Sequence, residues 1–393
     1  MTKVRMSGKL ELIKSSKDKY AFPFFAMGGA AGQFAKIYSD RLESPIEFFY
    51  FSYLACLGNM LSPRLTLDIE VKPEPRMFVL NLGESADDRK STAMKKTIAF
   101  FKDTFPHGGF NVCRGVGSAE GLAERFKHCK TDKNVILFLD EMKSFVSKSK
   151  IETSVLLPCV ASLFEDNDFE SWTKSGGVEL EDVYLSMLAA STTQTFETMW
   201  NATFIDIGFL NRLFIVPATN AKRDSLPESV SEKDKALLRQ ATAGVLQKVG
   251  QSPRALSYDR AAFRLWDDWY MSIERSVHTK RIDTYGLRLL PLLAANEGKF
   301  TVDADIVTKV IAIMDWQLKM RKFYSPVDAD NKIARMEASI RQKLSAGPLN
   351  NRDLQRACHK ARYGHWIFDN ALKNVMADRE VVYDKKTKTY RLL

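Results

Sequence analysis

The sequence predicts an α/β protein whose centre is a parallel sheet covered on both faces. Four runs of strand length, "RMFVLNLG" (76–83), "NVILFLDE" (134–141), "VYLSMLAAST" (183–192) and "RLFIVPAT" (212–219), are rich in Val, Ile, Leu and Phe. Near-continuous apolar runs of this kind are buried on both sides, as parallel strands are. Between them lie helix-length segments such as "KSTAMKKTIAFFKDTF", and strands alternating with helices mark crossover units.

Composition sets the bounds. The 393 residues suffice for two or three domains with substantial cores. An apolar share of 45% and a charged share of 27% exclude general disorder. The five cysteines are scattered, without a CxxC pair or histidines at ligand spacing, so neither a zinc site nor a disulfide framework is indicated and a reducing cytoplasm fits best. The first twenty residues are polar and rich in Lys, unlike a signal peptide. The most membrane-like run, "IEFFYFSYLACLGNMLS" (46–62), carries Glu47 and is short for a bilayer span. It reads as a buried core helix, with no membrane partner.

In chain order, residues 1–72 read as an N-terminal helical region punctuated at "GGAAG", Pro45 and Pro63. Residues 73–222 form the sheet domain, with an insertion, "FESWTKSGGVELEDVYL", in which Ser175-Gly176-Gly177 predicts a hairpin turn. Residues 223–325 read as helical, with apolar residues at three-and-four spacing in "YGLRLLPLLAANEG" and "DADIVTKVIAIMDWQL". A linker, "YSPVDADN" (324–331), leads to residues 332–393, which have the shape of a winged helix. A helix at 333–345, a turn at Gly347-Pro348 and two further helices precede a hairpin, "EVVYDKKTKTYRLL", with Lys385, Lys386 and Lys388 at its tip.

Charge is lopsided. The formal total is +10, and residues 331–393 carry 14 Lys or Arg against 6 Asp or Glu, a net of +8. A basic winged helix would meet DNA largely through its phosphates. Winged helices also dock proteins, and Trp366 is either a base-stacking residue or core. The net charge points to DNA.

The stretch "GESADDRKST" (83–92) lies between the first strand and a helix. A phosphate loop needs backbone N–H groups around the phosphates, a Lys reaching the β and γ phosphates, and a hydroxyl on Mg²⁺. With Lys90 in the Lys position, Ser91 supplies the hydroxyl, while the glycines of the pattern fall on Glu84, one place after Gly83, and on Arg89. The helix amino end is an anion site on its own account, and an ordinary basic helix start is the alternative. Fifty residues after Lys90, Asp140 and Glu141 close the second strand. Asp140 is suited to hold Mg²⁺ through water and Glu141 to polarise the attacking water; otherwise the pair ends a strand and caps the next helix. Ser191, Thr192 and Thr193 end the third strand, where a hydroxyl either orients the water or makes a local turn. Arg212, directly before the fourth strand, is either an arginine finger for a neighbouring subunit or a salt-bridged surface residue.

In this order the parts resemble the AAA+ ATPases. "LSMLAAST" followed by "FLNRLFIV" looks like the minichromosome-maintenance helicases, whose sensor Asn would fall on Thr192 and whose finger on Arg212. That family has a hairpin before the sensor strand that reaches DNA, and by position Lys174 would make the contact. A closer likeness is to a family of phage, plasmid and prophage proteins often found with primase domains. Its loop commonly reads Arg-Lys-Ser, as Arg89-Lys90-Ser91 do, and "GSAEGL" (117–122) is also similar to it. The likeness covers roughly residues 20–320 and makes the missing glycine at 89 a family feature.

The resemblance implies an AAA+-like P-loop NTPase sheet domain with an N-terminal helical region, a helical lid and a C-terminal winged helix. ATP would be held by Arg89, Lys90, Ser91 and Thr92, with Arg288 as lid arginine unless an amphipathic core helix accounts for it. Mg²⁺ would be held by Ser91 and Asp140. Glu141 would be the base, Thr192 the sensor and Arg212 the finger. The implied activity is that of a DNA helicase or translocase of a mobile element, a ring homo-oligomer, hexamer favoured, on single-stranded or forked DNA, with a primase as a further partner. The alternative, motivated by the negative Glu84 and Asp88 beside the phosphate seat, is a nucleotide-binding but non-hydrolysing DNA scaffold.

Overall fold

A computed structural model describes residues 21–84, 87–129, 132–150, 154–173, 176–199, 207–220, 222–276, 278–324 and 332–393. Residues 23–318 form one compact unit, and Lys319–Leu393 belongs to a second.

The first unit opens with helices α1 (Gly29–Arg41) and α2 (Ile46–Leu61) and a short strand β1 (Leu65–Leu67). There follow β2 (Phe78–Gly83), α3 (Lys90–Thr104), β3 (Val112–Arg114), α4 (Ala119–Lys127), β4 (Asn134–Leu139), α5 (Met142–Ser149) and α6 (Leu156–Glu165). A hairpin of β5 (Phe169–Thr173) and β6 (Gly176–Leu180) precedes β7 (Tyr184–Thr192), α7 (Thr193–Thr198) and β8 (Phe214–Pro217). Five strands make one sheet in the order β3-β4-β7-β2-β8, and every pairing in it is parallel. All six residues of β2 and all six of β4 are buried, as expected for strands covered on both faces. The mixed α/β fold with a parallel sheet is therefore the one the apolar runs foretell.

The N-terminal helices are part of this unit's core. Every residue of α2 from Phe48 to Leu61 is buried, which explains why the run is apolar all round. Asn59 fixes it against the sheet, its amide donating to Val135 O at 3.2 Å, Tyr184 O at 3.1 Å and Ser186 Oγ at 3.2 Å. One residue earlier, a Cβ on Gly58 would lie 2.0 Å from Pro75 O, so only glycine admits the chain entering β2 this closely. Phe34, Tyr53, Phe100 and Phe101 join α1, α2 and α3 through ring contacts of 4.9–6.3 Å, each burial contributing about 2–3 kcal/mol.

Several elements differ from the sequence expectation. Residues 223–325 contain helices Glu232–Val249, Arg260–Ser272, Ile282–Asn296 and Ala304–Tyr324, but also strands β9 (Arg254–Tyr258) and β10 (Thr301–Val302). With β1 these form a second parallel sheet, β1-β9-β10. Strands of two or three residues, as β1, β3 and β10 are, are too short to show a period, and β9, at five residues, buries only Leu256. In the insertion, Thr173 pairs with Gly176, so Gly176 and Gly177 lie within β6 and the connection is 174–175, outside the described residues.

In the second unit, helix Lys332–Ser345, strand β11 (Leu349–Asn350), helices Asn351–Ala357, Lys360–Tyr363 and His365–Ala377, and strands β12 (Val381–Asp384) and β13 (Thr389–Leu392) follow in order. The strands form a sheet β11-β13-β12 with antiparallel pairing. Met336, Ile340, Leu354, Phe368 and Val375 are among its core residues. Trp366 is 69% exposed, which removes the core reading of that residue. Most of the expected linker lies outside the described residues.

Candidate phosphate site

Strand order locates the site. The chain leaves β2 for the far edge strand β3, but leaves the adjacent β7 for β8 on the opposite side. Where connections from neighbouring strands diverge, a crevice opens at their carboxyl ends, the usual place for a ligand in an open parallel sheet. Gly83 and Thr192 are register partners at that end, and Leu139, just before Asp140, is opposite Ala189. The topology thus brings the Lys90 loop, Asp140, Glu141 and Thr192 to one edge.

Lys90 opens α3 and is 8% exposed. Its ammonium donates to Gly83 O at 3.0 Å and Glu84 O at 2.7 Å. Burial holds its pKa below the usual lysine value, against the opposing pull of Asp88, Glu84 and Glu141. Asp88, 3% exposed, accepts from the Glu84 amide at 2.5 Å and the Asn220 amide at 2.6 Å. Its carboxylate lies so close over Gly83 that a Cβ there would meet Asp88 Oδ2 at 2.6 Å.

Arg89 adopts φ 48°, ψ 32°, the left-handed region. The glycine of the usual pattern would sit there without strain, whereas a side chain costs about 1–2 kcal/mol. The guanidinium pairs with Glu43 at 3.1 Å, and the backbone carbonyl accepts from Ser44 Oγ at 2.9 Å and from the Thr92 amide at 3.0 Å. Arg89 is thus fastened from both ends, and Thr92 belongs to the first turn of α3.

Ser91 lies near enough to Asp140 to act on its carboxyl. Burial raises the Asp140 carboxyl pKa, but hydrogen bonds from Lys95 and Ser91 and the charges of Lys95 and Arg114 outweigh it and hold the group below the usual range. Lys95 Nζ lies 2.6 Å from Asp140 Oδ2. A serine hydroxyl beside an ionised carboxylate is a hard, all-oxygen donor set, which fits Mg²⁺ with the remaining positions filled by water or phosphate. Among the described residues no group of three or more His, Cys, Asp or Glu could hold a metal ion, so a dedicated protein cage is not present there. Glu141 is the N-cap of α5, its Oε1 accepting from the Lys143 amide at 3.3 Å. It therefore takes the capping role while lying close enough to act on the charge of Lys90.

Thr192 caps α7, its Oγ1 accepting from the Thr195 amide at 3.0 Å, and Ser191 is buried with its hydroxyl on Thr192 O at 3.2 Å. The hydroxyl cluster makes a local turn, and Thr192 is the register partner of Gly83, where the Lys90 loop begins.

Two arginines lie elsewhere. Arg212 precedes β8, at the amino end of the sheet, is 8% exposed, and donates to Ile207 O at 2.7 Å and Gly208 O at 3.2 Å. With β2 six residues long, the two ends are roughly 20 Å apart, so Arg212 meets no Lys90 loop of its own chain. Arg288 is at the same amino end, 5% exposed, donating to Arg76 O at 3.3 Å and to Phe164 O. Burial and the neighbouring Arg76 charge bring its pKa down to about 10. Arg288 fastens its own chain's backbone and is not brought to its own chain's Lys90 loop, an environment that the core-helix alternative describes.

Lys174 falls outside the described residues. Lys385, Lys386 and Lys388 are exposed at the β12–β13 tip, where Asp384 Oδ1 organises the turn by accepting from the Lys386 amide at 2.8 Å. Sequence reasoning missed Lys95 and Arg114 beside Asp140. The spacing of Lys95, four residues after Ser91, puts both on one face of α3 and was available as a signal; Arg114 had none.

No protein-family model and no curated protein matches this chain. Among solved structures, a full-length MCM homolog from Methanopyrus kandleri is similar at a TM-score of 0.45 and 12% identity, over 75% of this chain. The chain spans 60% of that protein. No helix among the described residues is long and apolar enough to cross a membrane.

Proposed function

We propose that this chain is an AAA+-like P-loop ATPase that works on DNA, a helicase or translocase of a mobile element acting in replication as a ring homo-oligomer. The observation that carries this is the convergence of Lys90, Ser91, Asp140, Glu141 and Thr192 at a topological switch point of a parallel sheet. Phosphoryl transfer asks the protein mainly for positioning and charge neutralisation, and these residue types at a strand-to-helix edge supply both. Lys90 neutralises phosphate charge once its ammonium leaves the carbonyls of Gly83 and Glu84. Ser91 and Asp140 would hold Mg²⁺, which when bound supplies further neutralisation. Glu141 orients and deprotonates water, and Thr192 positions it. Arg212, at the far end of the sheet from its own chain's loop, would serve the nucleotide of a neighbouring chain. The second unit, read as a winged helix, presents Lys385, Lys386 and Lys388 to the DNA backbone, and the hairpin around Lys174 is the other DNA contact. The N-terminal helices and residues 223–325 act as flanking layer and lid.

One observation favours a second reading. Asp88 lies inside the loop where a phosphate would be received, which suits a nucleotide-binding but non-hydrolysing DNA scaffold. Steady-state ATP hydrolysis with and without single-stranded DNA, wild type beside Glu141→Gln, separates the two. A motor gives DNA-stimulated turnover that the variant reduces about 10²-fold or more. Wild-type turnover no higher than the variant's, under every DNA condition, moves the conclusion to the scaffold.

A further inference from the structure

The loop contains its own counterparts of the charges it is built to receive. On the anion side, the buried Asp88 carboxylate takes the Glu84 amide at the strand-to-helix loop and the Asn220 amide beyond β8. Two charge-assisted bonds to backbone N–H are what a phosphate oxygen obtains in such a loop. On the cation side, the Lys95 ammonium lies 2.6 Å from Asp140 Oδ2, against the carboxylate that faces Ser91. Lys90, with its seat taken, turns inward to Gly83 O and Glu84 O.

We propose that the nucleotide seat is held shut by two internal stand-ins, Asp88 for the phosphate and Lys95 for the magnesium ion, and that nucleotide binds only by displacing both. This rests on the nucleotide reading given above and adds how that site is regulated. A phosphate entering beside Asp88 meets a like charge at contact range, so the carboxylate must leave. Its departure frees the Asn220 amide. Asn220 begins a strap of chain that lies against the loop's supports: Lys222 Nζ donates to Asp40 O at 2.6 Å, and the Asp224 amide donates to Glu43 Oε1 at 2.6 Å. Glu43 is also the partner of Arg89. The strap runs on toward helix Glu232–Val249, so occupation of the loop is transmitted to the region after β8 by the loss of one carboxylate contact. Gly83 is what permits the shut form, because any side chain there would collide with Asp88.

The test is calorimetric titration of the full chain with Mg·AMP-PNP, wild type beside Asp88→Asn and Lys95→Met. Asp88→Asn keeps the side chain's size and removes its charge. The expected result is an affinity about tenfold higher in Asp88→Asn, and a several-fold lower magnesium requirement in Lys95→Met. In the wild type, the Asn220 amide should lose its hydrogen-exchange protection as Mg·AMP-PNP saturates. Should Asp88→Asn not fold, Gly83→Ala dislodges the same carboxylate by contact and carries the same expectation. Binding of equal or lower affinity in the variants, or an Asn220 amide still protected at saturation, overturns the stand-in device and leaves the nucleotide reading intact. No binding to the wild type or any variant overturns the nucleotide reading and the device with it.

Discussion

The two ends of the central sheet treat charge in opposite ways. At the amino end, guanidinium groups meet backbone carbonyls and glutamates: Arg212 on Ile207, Gly208 and Glu165, Arg76 on Asp166 and Glu74, and Arg288 on Arg76 and Phe164. At the carboxyl end, carboxylates and hydroxyls meet backbone amides: Asp88 on Glu84 and Asn220, Glu43 on Asp224, Glu141 on Lys143, and Thr192 on Thr195. The cause lies in the topology. In parallel strand-helix units, strands deliver the chain into helix amino ends on one side, where N–H groups lack partners, and helix carboxyl ends gather on the other, where C=O groups do. The carboxyl end therefore offers amides to carboxylates, with Lys90 the one described side chain of the loop that turns to carbonyls instead, on Gly83 and Glu84. The lesson is that an arginine near the sheet is not evidence of a phosphate contact until its end of the sheet is known.

That contrast yields graded expectations. Arg288→Ala strips two buried carbonyls of their donor and leaves a cavity, so it should destabilise the fold by about 2–4 kcal/mol in denaturant titration, with Mg·AMP-PNP affinity unchanged. A tenfold loss of affinity at full stability would break the comparison and return Arg288 to the nucleotide. Arg89→Gly is the smallest effect. It relieves about 1 kcal/mol of left-handed backbone strain and loses an ion pair to Glu43 whose arginine is half exposed, worth about 0–1 kcal/mol. Stability should therefore move by less than about 1 kcal/mol, while Arg89→Ala, which keeps the strain and loses the pair, should be the less stable of the two.

Much of the fold was legible because parallel strands write themselves as apolar runs. β2, β4, β7 and β8 all fall within the runs that announced them. The short strands β1, β3, β9 and β10 were not, because two to five residues give no period and their pairing is set by distant segments. The hairpin slipped because two adjacent glycines suggested a turn, whereas the pairing of Thr173 with Gly176 places them in the strand. That Lys90, Ser91 and Asp140 would come to one edge of the sheet was readable from their spacing together with the apolar strands that precede them. The position of Arg288 was not, since helix periodicity tells which face is buried but not which end of the sheet it meets. Asp88 was noticed only as an unfavourable charge; its bond from the Glu84 amide is local, but its bond from the Asn220 amide joins residues 132 apart in sequence.

The measurement that bears most directly on the central claim is the equilibrium affinity of Mg·AMP-PNP for the wild type and for Lys90→Ala, followed across alkaline pH. Burial lowers the Lys90 pKa, and only the protonated form neutralises phosphate. Affinity should therefore be at least about tenfold weaker in the variant. In the wild type it should fall as pH rises through the depressed Lys90 value, below the range where surface lysines titrate. Equal affinity in wild type and variant, with no alkaline loss specific to the wild type, would contradict the assignment of Lys90 and of the carboxyl end of the sheet as the nucleotide site.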